Sequence, residues 1–222
     1  FRKLLLHYSS AVAFFYSQSS CTVKNSTVML RRKTHQHRRK IRTIPYIKNV
    51  KLSAAKYIYN GKVKKPTVSV KDAKGNVIAA RFYSVYYPAG RKNVGQYTVK
   101  ITFKGDYSGT VKKTFRIHPR GTTLSSISKA KKAFTVKWKK QSEKMAVTRI
   151  TGYQIQYSTS KKFTNPKSKT VTGYGTISKK ITGLKAKTTY YVRVRTYRNV
   201  TLNGKIVKLY SGWSTVKYVK TK

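Results

Sequence analysis

From about residue 43 the sequence alternates apolar and polar residues in short runs, and that period of two constrains the fold more than any other feature. Thr67-Val68-Ser69-Val70, Tyr97-Thr98-Val99-Lys100-Ile101-Thr102-Phe103 and Lys113-Thr114-Phe115-Arg116-Ile117 each set every second residue on one side. Successive strand residues point to opposite faces, so such runs bury one face and wet the other, as antiparallel sandwiches do. Turn signals stand between them at Asn60-Gly61, Lys74-Gly75-Asn76 and Lys104-Gly105-Asp106. No window of useful length has a helical period. His118-Pro119-Arg120-Gly121 predicts a linker, because Pro ends strand pairing and Gly frees the backbone. A second strand series follows it: Phe134 to Trp138, Gly152 to Tyr157, Tyr190 to Tyr197, Lys205 to Tyr210 and Val216 to Val219.

Charge is the second constraint. The 222 residues hold 51 Lys+Arg against three acids, Asp72, Asp106 and Glu143, for a formal net charge of +48. Self-repulsion on that scale opposes compaction, so the folded chain is expected to be salt-sensitive or to sit against a polyanion. The hydrophobic fraction of 39% is ordinary for a folded protein. Paired carboxylates for acid–base catalysis need two acids close together, and here the three are far apart in segments that read as turns or loops. Calcium sites, which draw on clustered carboxylates, have no material either. The one cysteine, Cys21, permits no internal disulfide and gives a zinc ion no partner thiol. No apolar run reaches the length of a membrane span.

Residues 1–42 show no steady period. They open Phe1-Arg2-Lys3-Leu4-Leu5-Leu6, pass an apolar patch at 11–16, and end in the basic run Arg31, Arg32, Lys33 to Arg38, Arg39, Lys40. A positive start, an apolar stretch and small residues before Cys21 have the outline of a degenerate secretory signal, interrupted by His7, Tyr8, Ser9 and Ser10. The plainer expectation is a basic, poorly ordered leader.

Residues 121–222 resemble a fibronectin type III domain. Trp138 lies in the early strand Val136-Lys137-Trp138-Lys139, where that family places a core Trp. Tyr153 and Tyr157 lie in the next strand, Gly152 to Ser158, and Gly183-Leu184 to Tyr190-Tyr191 matches the family's Leu-to-Tyr corner. The resemblance implies that Leu184 plugs the core and that the Tyr190 hydroxyl bonds back to nearby backbone. Tyr210-Ser211-Gly212-Trp213-Ser214 fits the last strand of bacterial examples.

Residues 43–118 are similar to a bacterial immunoglobulin-like repeat of Gram-positive surface proteins. The matching pieces are Tyr59-Asn60-Gly61-Lys62 with Pro66-Thr67-Val68, Asn93 to Val99, Gly105 to Thr110, and Thr114 to Ile117. Arg81-Phe82-Tyr83 stands where those repeats commonly carry an acid before the middle Tyr, so only the core positions carry over. The expected fold class is therefore all-β: two tandem antiparallel β-sandwich modules of immunoglobulin-like type, at 43–118 and 121–222, after the leader at 1–42.

The 18 tyrosines invite a ligand-stacking reading, since aromatic platforms beside cations bind glycans or single-stranded nucleic acid. Against it, Tyr suits a half-buried strand with its ring inside and its hydroxyl at the edge. If a binding surface exists, Tyr83, Tyr86 and Tyr87 with Arg81 and Arg91 are the first candidates, and Trp213, near a turn, is the other. Trp138, Tyr153, Leu184 and Tyr190 are expected in the core. The Arg31–Lys40 run is dense enough to bind a polyanion at low salt. Lysine pairs along strands, such as Lys112-Lys113 and Lys179-Lys180, read as wet-face residues that deter edge pairing. His7, His35, His37, His118 and Cys21 have no arrangement that points to chemistry, and neither a metal nor a cofactor is expected.

What the resemblance implies is a surface or secreted protein in which such modules space out or present another domain. The expected role is a non-catalytic spacer or adhesion segment of an extracellular bacterial protein, with anionic cell-wall polymers or glycans as contacts. The alternative is a free-standing cationic nucleic-acid-binding protein, which rests on charge alone. Nothing in the sequence points to an oligomer.

Overall fold

The computed structural model describes residues 47–222, so the leader and its basic run lie outside the described residues. The described chain is nearly all strand, with one short 3₁₀ turn at Ala80–Phe82. Six strands come first: β1 (Ile47–Leu52), β2 (Lys56–Ile58), β3 (Val68–Asp72), β4 (Tyr83–Tyr86), β5 (Gly95–Phe103) and β6 (Thr110–His118). β1 and β3 form a two-stranded sheet, and β2-β6-β5-β4 form a second one. Pairing is antiparallel except that β2 runs parallel to β6. The alternation in the sequence is what closes these sheets on each other. Val50 and Val70 from one meet Val99, Ile101, Phe103, Phe115 and Ile117 from the other, all buried.

Turns sit where glycine and the few acids are. Asp72 Oδ1 accepts the backbone N–H groups of Lys74 and Asn76 at 2.9 Å each, closing the turn after β3. One of the three acids of the sequence is thus engaged in holding a turn, which is the common use of Asp at such positions.

Eight strands follow: β7 (Leu124–Ala130), β8 (Ala133–Trp138), β9 (Gly152–Ser158), β10 (Lys167–Thr172), β11 (Ser178–Ile181), β12 (Thr189–Leu202), β13 (Lys205–Tyr210) and β14 (Lys217–Lys220). β11-β8-β7 form one sheet and β10-β9-β12-β13 the other, with β14 also on β12. β12 is long enough to pair with β14 through Thr189–Val192 and with β13 through Tyr197–Leu202. Its even-numbered residues from Tyr190 to Thr196 are buried, while Tyr191, Arg193 and Arg195 face outward and are half-buried.

The core between these sheets contains Phe134, Val136, Trp138, Tyr153, Ile155, Tyr157, Leu184, Val192 and Val194. Aromatic edges meet rings there, with Phe134 and Tyr157 T-shaped at 5.9 Å and Trp138 tilted on Tyr153 at 5.2 Å. The buried Tyr153 hydroxyl donates to the Tyr174 carbonyl at 2.8 Å and accepts the Gln141 N–H at 2.9 Å, so its polarity is compensated. Gly152 is required by contact rather than by its dihedral. A Cβ there would lie 2.1 Å from the Val171 carbonyl oxygen and 3.0 Å from both Thr172 Cα and Tyr197 Cε1.

The segment joining the two strand series is tied down on both sides. The His118 ring donates from Nδ1 to the Tyr210 carbonyl at 2.7 Å, which fixes the proton on that nitrogen because a carbonyl only accepts. The fully buried Thr196 donates its hydroxyl to the Arg120 carbonyl at 2.6 Å. Arg120 also pairs with Glu143 at 2.6 Å. Apolar contact crosses the same place: Val94 is buried in the cluster formed by the second series, and Tyr59 packs against both clusters.

Candidate functional site

β12 and the segment after β13 build the most organised polar feature among the described residues. The run Val192-Arg193-Val194-Arg195 puts both valines in the core, so both arginines emerge on the outer face. After β13 the strand is interrupted at Gly212-Trp213, and two serines bridge the interruption. Ser211 Oγ accepts the Thr196 N–H and Ser214 Oγ accepts the Val194 N–H, each at 3.0 Å. This returns Trp213 over the outer face of β12.

The indole is flanked by the two guanidinium groups, Arg193 at 4.6 Å and Arg195 at 4.1 Å from its ring. Arg193 also lies 4.0 Å from the Phe163 ring, and Arg195 lies 3.8 Å from the Tyr210 ring. The result is an interleaved stack: Phe163, Arg193, Trp213, Arg195, Tyr210. Flat guanidinium groups stack on aromatic faces and are weakly hydrated, which is why arginine rather than lysine suits this arrangement.

The arginine edges are oriented by glutamines on β9. Arg193 donates from Nε to Gln156 Oε1 at 2.8 Å and from Nη2 to the same oxygen at 2.5 Å, and Arg195 Nε donates to Gln154 Oε1 at 2.7 Å. The cross-strand register continues onto β10, where Ser168 stands opposite Gln156 and Thr170 opposite Gln154. Burial lowers the pKa of both guanidinium groups, that of Arg195 also through the charge of Arg193, against an opposing effect of Tyr210. Two like charges are thus held side by side, each hydrogen-bonded to a neutral glutamine.

The other candidate surface is divided by its own strand. On β4 the side chains alternate, so Tyr83 turns inward to meet Phe103 at 6.1 Å while Tyr86 stands outward and 64% exposed. Tyr87 is half-buried, and its hydroxyl donates to the Pro66 carbonyl at 2.6 Å. Arg91 lies 5.2 Å from the Tyr87 ring, donates from Nε to the Lys64 carbonyl at 3.1 Å and from Nη1 to Pro88. Arg81 lies over Phe82 instead. Of the set Tyr83, Tyr86, Tyr87, Arg81 and Arg91, the structure brings Tyr87 and Arg91 together, as a brace. Trp213 packs instead on the arginines of β12.

The expected core residues Trp138, Tyr153, Leu184 and Tyr190 are all buried in the second cluster. The Tyr190 hydroxyl accepts the Lys185 N–H at 3.1 Å, closing the corner that starts at Leu184. The basic residues Arg31, Arg32, Lys33, Arg38, Arg39 and Lys40 lie outside the described residues. Among the described residues no three His, Cys, Asp or Glu side chains gather as a metal site, and no helix is long and apolar enough to cross a membrane. A cleft of about 520 Å³ opens beside the corner, lined by hydroxyls such as Ser158 and Ser160 and by Lys167 and Lys185.

The corner tyrosine, the core Trp and the two facing sheets agree with a comparison of the sequence with family models. Residues 118–206 match the fibronectin type III domain. The fibronectin type III module is of a kind that is commonly extracellular, typically non-catalytic, and used as a spacer or in adhesion. The structure is also similar to the crystal structure of chicken CNTN1 FN1-FN3 domains, at a TM-score of 0.39 and 16% identity, over 80% of this chain and 68% of that one. No curated protein matches the sequence.

Sequence reasoning singled out Trp213 but missed Arg193 and Arg195. The available signal was the pair of matched outward patterns, Gln154-x-Gln156 on one strand and Arg193-x-Arg195 on its neighbour.

Proposed function

We propose that this chain is a non-catalytic spacer or adhesion segment of an extracellular bacterial surface protein, whose contacts are anionic wall polymers or glycans. The observation that supports it most directly is the tied segment between the two strand series. A spacer must hold one module at a set angle to the next, and the default for linked domains is relative motion unless the contact is apolar and specific. Here the buried Val94, the shared Tyr59, the His118–Tyr210 bond and the Thr196–Arg120 bond all oppose such motion. The first module, which we read as an immunoglobulin-like repeat, would then act with the fibronectin type III module as a single unit.

The test has two parts on the full chain. NMR relaxation should give one rotational correlation time for amides of both strand series. Sedimentation with purified cell walls should retain the protein, and walls stripped of their anionic polymers should retain less. Independent tumbling of the two series would remove the spacer reading. Equal retention by stripped walls would remove the polymer contact.

The net charge of +48 supports a second reading, a cationic nucleic-acid binder. That reading requires an affinity for single- or double-stranded DNA that falls linearly in log–log form with salt and exceeds the affinity for any anionic glycan at equal ionic strength.

A further inference from the structure

The outer face of β9, β10 and β12 has a composition unlike the rest of this lysine-rich surface. Two rows run straight across three strands: Ser168–Gln156–Arg193 and Thr170–Gln154–Arg195. Neighbouring strands lie about 4.8 Å apart and alternate residues about 7 Å apart along a strand, so the rows make a flat grid rather than a pocket. No lysine and no acid lies within either row. The guanidinium faces are occupied by Phe163, Trp213 and Tyr210 and the Nε sides by the glutamines, which leaves the terminal Nη edges as the binding elements. Both glutamines accept with Oε1, so each amide nitrogen is presented as a donor.

We propose that this face is a docking surface for an acidic polysaccharide whose carboxylates meet the edges of Arg193 and Arg195 while its neutral hydroxyls meet the glutamine and hydroxyl rows. The proposal deepens the glycan-contacting function above and rests on it for the location of the partner outside the cell. Three features choose this ligand. A guanidinium edge matches a planar carboxylate through two parallel hydrogen bonds. The stack fixes both arginines beforehand, so little side-chain freedom is lost on binding. The two cations stand among four neutral polar side chains, a ratio suited to a sugar acid with many uncharged hydroxyls. A phosphodiester backbone carries few neutral hydroxyls beside each charge and is better met by the dense lysines elsewhere on the chain.

The test uses the full chain and polygalacturonate as the probe, at about 0.3 M salt to suppress unspecific attraction. Ser168→Glu/Thr170→Glu places acids on the face at exposed positions of an edge strand without touching the stack. Thr110→Glu/Thr114→Glu makes the same charge change on exposed positions of β6. The first pair should weaken binding at least tenfold and the second less than twofold. Arg195→Lys, which keeps the charge and loses the fork, should weaken it about tenfold, with a thermal scan confirming that the variant is folded. Equal losses in the two Glu pairs would overturn the proposal, as would full affinity in Arg195→Lys. Failure to bind polygalacturonate, with cell-wall retention intact, would overturn this face alone. Loss of both would also remove the function from which it starts. Tighter binding of single-stranded DNA than of polygalacturonate at the same salt would assign the surface to nucleic acid and overturn the proposal.

Discussion

The imidazole of His118, at the end of the first strand series, donates from Nδ1 to the carbonyl of Tyr210, at the end of β13, across 2.7 Å. Burial lowers the pKa of this ring. The Tyr210 carbonyl opposes that shift, and the nearby charges of Lys56 and Arg116 add to it. The folded chain therefore holds His118 neutral at pH values where the unfolded chain begins to protonate it.

The sign follows from linkage. A depressed folded pKa means the unfolded state binds more protons between the two values, so stability is fully present above the ordinary histidine range. It is lost as the pH falls through that range toward the folded pKa. Thermal unfolding should show a lower midpoint at pH 5 than at pH 7.5, and His118→Gln should flatten that difference. His118→Ala at neutral pH should cost about 1 kcal/mol, the net value of one such hydrogen bond. An unchanged pH profile in His118→Gln would show that the joint does not sense this ring.

Gly152→Ala should destabilise the second strand series by about 1–3 kcal/mol, because overpacking against fixed backbone forces strands apart. The new Cβ meets a carbonyl oxygen of β10, which has no rotamer to change. Denaturant unfolding measures it. A loss below about 0.5 kcal/mol would mean that β10 moves aside freely.

Two tyrosine-to-phenylalanine changes should differ in size. Tyr153→Phe removes a hydroxyl that serves Gln141 and Tyr174 at once, whereas Tyr190→Phe removes one bond from Lys185. The expected costs are about 2 kcal/mol and about 1 kcal/mol respectively, from the net worth of each hydrogen bond. Matching values would indicate that the Tyr174 carbonyl finds another donor.

Salt should stabilise the fold. With 51 Lys+Arg against three acids and a net charge of +48, screening relieves more repulsion than attraction. The unfolding midpoint should rise steadily from about 0.02 M to about 0.5 M sodium chloride. A midpoint that falls with salt would mean that specific attractions dominate.

The strands were legible because their alternation is strict where one face is buried. Val192 and Val194 are legible as core, and the corner from Leu184 to Tyr190 is legible from its fibronectin type III pattern. The stack was not legible, since alternation marks Arg193 and Arg195 only as outward and says nothing of what covers them. Its other half arrives from Trp213, eighteen or more residues later, through two serine hydroxyls that no periodicity encodes. Tyr86 and Tyr87 show the same limit from the other side. They are adjacent in sequence, and the strand sends them to opposite sides. The joint was illegible for a further reason: Val94 reads as an ordinary apolar residue of its own module, yet it is buried in the core of the next.

The sequence Val192-Arg193-Val194-Arg195 repeats itself every two residues, so a slip of β12 by two positions would leave its apolar and charged sides unchanged. Within those four residues the alternation of burial does not register such an error. The sandwiched indole is not blind to it, because Trp213 fits between two arginines at one alignment only, with Phe163 and Tyr210 closing the ends. The serine bonds to Val194 and Thr196 repeat the same check on the backbone. The ladder thus acts as a vernier for the longest strand, marking on its outer face the alignment that Tyr190 and Thr196 set on the inner one.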